Sequence, residues 1–222
     1  MSGQCSGVQH RIQRVAANAL YVHCYAHTLN LVLVDSVKIV PYATEFFTLL
    51  EALYVFVSTT KAHAVFMQKQ QELHPDKQPL RLQKLSDTRW ACRYGAVNAM
   101  CRTYDSLLAT LENIGDGSDH TKAIEAKGLY YQIANFSFIV SLVMFDRILS
   151  CTKCLSDQLQ STQVDLAQAA DLVLATKSTL EEYRTDTFWE KIYAYSQNTM
   201  RAVQACNPLS MNSVFTCFVA TG

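Results

Sequence analysis

The chain has 222 residues, enough for one large domain, with 19 Lys plus Arg balanced by 19 Asp plus Glu. Zero net charge excludes a wholesale basic footprint for nucleic acid, and a half-apolar, 17% charged composition excludes a disordered, solvating polymer. Gly at 7 and Pro at 4 are too few for glycine-rich phosphate loops or turn-dense β-sandwiches, so long helices are expected.

Eight cysteines in a chain that opens on MSGQCSGVQHRIQRV, with no apolar leader run, read as reduced thiols of an intracellular protein. In chain order, residues 2–14 suit a short helix leading into ALYVHC, residues 19–24. That run is rich in β-favouring side chains and too short for its own helix, so it is the one predicted strand. From Thr28 to the residue before Pro41, Leu29, Leu31, Val32, Leu33, Val34 and Val37 predict a helix buried on most sides. Pro41 opens the next helix, with a stripe of Phe46, Leu50, Leu53 and Val57 at spacings of four, three and four. Ser58, Thr59 and Thr60 cap a further helix running to Leu73, since Pro75 disfavours helical geometry at His74.

Residues 75–84 read as a connecting loop. Ser86 and Asp87 then cap a helix with the stripe Val97, Cys101, Tyr104, Leu108 and Leu111, ended by Gly115 in the position that tolerates left-handed geometry. After the loop GDGSD, one helical stretch carries Ile133, Phe136, Val140, Val143 and Leu149 on a buried face as far as Leu159. Leu166, Ala169, Val173 and Leu180 trace the next helix, and Thr187 with Glu190 forms a capping box for the last. The segment after Gln204 has neither helical periodicity nor charge and is expected to be an unstructured or divergent tail. The two long uncharged runs, residues 15–34 and 128–145, contain enough His, Asn, Gln and Ser to be core segments, so no membrane span is expected.

Cys24-Tyr25-Ala26-His27 is a C-x-x-H, a spacing that places sulfur and imidazole on one cation. A tetrahedral site needs a second pair, which Cys151 and Cys154 could supply, but buried helix cysteines acting as small hydrophobes are the better explanation of those. No metal is therefore assigned. Asp87, Asp105, Asp146, Glu181 and Glu182 fit caps or solvated helix faces. Arg89-Trp90 opens a helix; it is read either as an anchor against the core or as a pair that stacks on and pairs with nucleic acid.

Three blocks, MSGQCSGVQHRI, ALYVHCYAHTLNLVL and LSDTRWACRYGAV, together resemble hAT-superfamily transposases, in particular the domesticated zinc finger MYM-type protein 1-like group. The resemblance implies a mainly α chain: a partial ribonuclease H-like core segment with short β over 1–40, a helical insertion domain over 41–204 and a divergent tail over 205–222. It places Cys24, His27, Arg89 and Trp90 near the family's active centre. It also implies that the catalytic acids lie outside this chain, two core Asp residues before Met1 and a Glu beyond the insertion, together with the dimerisation segment. The expectation is a non-catalytic, nuclear, transposon-derived fragment without cofactor, associating with protein partners or weakly with DNA. Mg or Mn would be needed only if the acids were present. The alternatives are part of a metal-dependent transposase and a zinc-binding structural module.

Overall fold

A computed structural model of the chain describes residues 7–19, 24–86, 90–161 and 163–206. Ten helices make up this part: α1 Val8–Val15, α2 Tyr25–Ile39, α3 Pro41–Val57, α4 Thr60–Leu73, α5 Trp90–Arg102, α6 Tyr104–Gly115, α7 His120–Ile133, α8 Phe136–Leu159, α9 Leu166–Glu182 and α10 Asp186–Cys206. Helix accounts for 80% of the described residues, which contain no strand. This overturns the ribonuclease H-like core and its short β segment. Positions 20–23 of the predicted strand lie outside the described residues, but every described neighbour is helix or loop.

Helix α8 is the spine of the body. Its first ten residues are apolar almost all round, and Phe138, Ile139, Leu142, Phe145 and Leu149 are buried as α5, α10, α9 and α2 pack around it. Helix α3 contributes the stripe expected of it, with Phe46, Leu50, Leu53 and Val57 all buried. Phe46 stacks on Phe145 with ring centroids 4.7 Å apart and also meets Phe47 and Phe138. A single main cluster runs from Val34 on α2 to Ile192 on α10, and a small second one joins Ala26, Leu155, Leu159 and Ala169.

Two predicted helices are each broken in the middle. Thr103 separates α5 from α6: its hydroxyl donates back to the Ala99 carbonyl at 2.8 Å, and its backbone takes a non-helical φ of −125°. Asn135 separates α7 from α8 by serving both ends. Its amide donates to the Gln132 carbonyl at 2.8 Å while its oxygen accepts from Phe138 N–H at 2.9 Å, and the two helices bend by 70°. Gly115 is not left-handed: it is the last residue of α6, Asp116 is the cap, and no described glycine has a positive φ.

Three further expectations change. Helix α2 buries only Ala26 and Val34, because its neighbours cover one side; Leu31 and Val32 are exposed. On α9 the covered line is Ala169, Leu172, Thr176 and Leu180, so Leu166 and Val173 face outward. The capping box belongs to α9, where Asp165 accepts from Gln168 N–H at 2.8 Å and Gln168 answers to Asp165 N–H at 3.3 Å. At α10, Thr185, not Thr187, accepts from Phe188 N–H. That helix continues past Gln204 to Cys206; residues 207–222 lie outside the described part. No single helix among the described residues is long and apolar enough to cross a membrane.

Ser196, on the α10 face turned to α8, is fully buried and its hydroxyl has no hydrogen-bond partner. An orphaned buried hydroxyl costs about 1–3 kcal/mol, so Ser196→Ala should raise stability by roughly 1 kcal/mol. Thermal denaturation checks this, with an expected rise of about 2–4 °C in Tm for a chain of this size. A lower Tm would mean that the hydroxyl is satisfied.

Candidate functional site

Cys24 is the N-cap of α2, exposed, and its carbonyl accepts from both Thr28 N–H at 3.0 Å and the Thr28 hydroxyl at 3.3 Å. His27 lies in the first turn of the same helix, also exposed. The pair is therefore within one turn, as the spacing required, although the strand expected to precede it lies outside the described residues. Trp90 is the first residue of α5, and Arg89 and Asp87 lie outside the described residues. Helices α2 and α5 pack against each other, so the second and third sequence blocks are neighbours in the fold.

The second cluster brings Ala26, two residues after Cys24, against Leu155, the residue after Cys154. The two candidate ligand pairs thus share one end of the molecule. They do not converge: no group of three or more His, Cys, Asp or Glu side chains able to hold a metal exists among the described residues.

The larger feature was not anticipated from sequence. An open cleft of about 780 Å³ lies between the end of α4 and its following loop, the α5–α6 junction and the last turns of α10. Its floor is Leu108, Tyr104, Ala109 and Val203; Leu73, Pro79 and Tyr195 lie along its walls. Lys77 and Arg102 are exposed, whereas Asp105, Glu112 and Asp146 are half-buried, so the interior is more acidic than the rim.

The loop forming one wall is pinned at several points. Gln70, buried on α4, donates to the Leu80 carbonyl at 2.8 Å and accepts from Leu80 N–H at 2.8 Å, reproducing a two-bond backbone pairing with a side chain. Glu51 accepts from Leu85 N–H at 3.3 Å. His74 Nε2 lies 2.6 Å from Asp105 Oδ2, joining the end of α4 to the first turn of α6. Gly95 leaves room for Gln83: a β-carbon there would lie 2.1 Å from Gln83 Oε1. On the opposite side Asn98 donates to Asp146 at 3.3 Å, tying α5 to α8.

Asp105 does sit in the first turn of α6, where it accepts from Ser106 N–H at 2.6 Å, but neither it nor Asp146 is merely a cap or a solvated charge. Each is an inter-helix contact on the cleft. Asp35 by contrast is exposed and pairs with Lys38 at 3.2 Å, and Glu181 pairs with Lys177, as solvated helix faces do. Burial pushes the Cys101 thiol up, and the Asp146 carboxylate beside it adds to the effect. Burial likewise pushes up the Tyr104 phenol, which donates to the Ile133 carbonyl at 2.7 Å. Neither group is a poised nucleophile. Since the thiolate is the reactive form, iodoacetamide at pH 8 should modify exposed Cys154 at least about tenfold faster than Cys101, as read by peptide mass spectrometry. Equal rates would mean that the cleft wall opens readily.

No family model and no solved structure matches the chain.

Proposed function

We propose that this chain is a transposase-derived helical module that acts in the nucleus by associating with a protein partner rather than by cutting DNA. Descent is supported by the three sequence blocks, and a helical body over residues 41–204 is in keeping with the insertion they imply. The observation that carries the association reading is the cleft. Its aliphatic and tyrosine floor offers burial to apolar side chains, and charges of both signs around it offer polar pairing, which is the composition of a peptide-binding surface. A nucleic-acid backbone fits it poorly, because half-buried Asp105, Glu112 and Asp146 would face phosphates.

Peptide display on the purified full chain, followed by affinity measurement, tests this. Leu73 and Tyr195 line the cleft and are 43% and 56% exposed, so truncating them leaves the core intact. Selected peptides should lose about tenfold or more in affinity on Leu73→Ala, Tyr195→Ala, the size expected when an aromatic anchor is removed. Peptides indifferent to both changes, or duplex DNA bound more tightly than any selected peptide at moderate salt, would overturn the reading.

A further inference from the structure

We infer that Cys151 and Cys154 on α8 form a two-thiol site for a soft monovalent cation, Cu(I) being the ion it fits. The two residues stand at i and i+3 of a continuous 24-residue helix, hence on one face with β-carbons roughly 5–6 Å apart. A disulfide needs about 3.5–4.5 Å between those atoms, so direct sulfur–sulfur bonding would require bending the spine of the fold. One bridging ion, with two metal–sulfur bonds of roughly the 2.3 Å found in zinc thiolates, spans the gap without moving the backbone.

Both thiols are free, Cys154 exposed and Cys151 half-buried, so the site has an opening and a wall. Cys154 lies close enough to help burial push the Cys151 thiol up, and Cys151 in turn acts on the Tyr183 phenol of α9. Lys153 is engaged with Asp157 at 2.5 Å. Arg147 stands one turn before Cys151 on the same helix and exerts its charge on the Tyr183 phenol. No third His, Cys, Asp or Glu converges with this pair among the described residues, which suits a two-coordinate ion better than tetrahedral zinc. Binding converts two thiols to thiolates: two protons go to solvent, two sulfur–copper bonds form, the copper stays Cu(I), and the product carries one negative charge.

The test is anaerobic titration of the full chain with Cu(I) against a competing chelator. Other cysteines supply a background, so the readout is a difference in tightly bound equivalents. Cys151→Ser, Cys154→Ser and the double variant should each lose the same single equivalent, with unchanged far-UV circular dichroism. The pair Cys154→Ser/Asp157→Cys, which moves the second thiol off the shared face, should not recover it. X-ray absorption of the wild-type complex should show two sulfur neighbours. Retention of the equivalent by either single variant, its recovery with the displaced thiol, or its absence from the wild type would overturn the site.

Discussion

Phe46→Ala should be the most damaging single truncation in the body, lowering stability by about 3–5 kcal/mol. The residue is 5% exposed and meets three other rings, Phe47, Phe138 and Phe145. Truncation removes buried apolar surface, leaves a cavity between α3 and α8, and forfeits ring contacts worth about 0.5–1.5 kcal/mol beyond area. Against a total of about 5–15 kcal/mol for an ordinary domain, that is a large fraction. Urea denaturation followed by circular dichroism measures it. Trp189→Ala, on a side chain 49% exposed on α10, is the control and should cost less than about 1 kcal/mol. Equal losses would mean that the α3–α8 aromatic cluster is not the centre of the core.

Gln70→Leu should cost about 2–4 kcal/mol and act locally. Leucine keeps the apolar stem but removes both partners of Leu80, leaving a backbone N–H and C=O without the bonds that Gln70 supplies. Each orphan costs about 1–3 kcal/mol unless the loop swings out to water, and swinging out removes one wall of the cleft. Hydrogen exchange should accelerate across residues 74–86, by about tenfold for each 1.4 kcal/mol lost locally, while the amides of α8 change little. Gln68→Leu is the control, since that side chain is exposed and bonds only to nearby Glu72. Unchanged exchange across the loop would mean that Glu51, His74 and the Gly95 contact hold it without Gln70.

Most helices were legible because their signals are local. Pro41 at the first position of α3, the stripe Phe46, Leu50, Leu53 and Val57, and Pro75 after α4 each act within one or two turns, and the structure follows them. The breaks at Thr103 and Asn135 were not legible. Apolar periodicity runs through both, and the deciding hydrogen bonds come from side chains that are equally at home within or between helices. The exposed face of α2 escaped for a different reason. An apolar run shows that burial is favourable, but not whether a neighbour covers it. The expected ribonuclease H-like sheet misled because a β-favouring run such as Tyr21 and Val22 is a local signal, while a sheet needs partners that no local run reveals.

The site was less legible than the fold. The C-x-x-H spacing placed Cys24 and His27 on one turn, and the second cluster of the core brings α2 and the Cys151/Cys154 region together. The cleft, however, depends on contacts 10 and 31 residues apart in sequence, Gln70 with Leu80 and His74 with Asp105. Glutamine and histidine at the end of an ordinary helix carry no sign of that. The one usable hint was a 16-residue connection between α4 and α5, residues 74–89, longer than helical bundles usually need and therefore a candidate for a job of its own.

Hydrogen exchange of the full chain with and without a display-selected peptide tests the association surface most directly. Binding in the cleft should protect residues 70–80, 101–112 and 195–203, the three continuous segments that supply most of its lining, and Tyr195→Ala should weaken that protection in step with the lost affinity. Protection centred on the outward face of α9 or on α2, with the cleft segments unchanged, would contradict the cleft account.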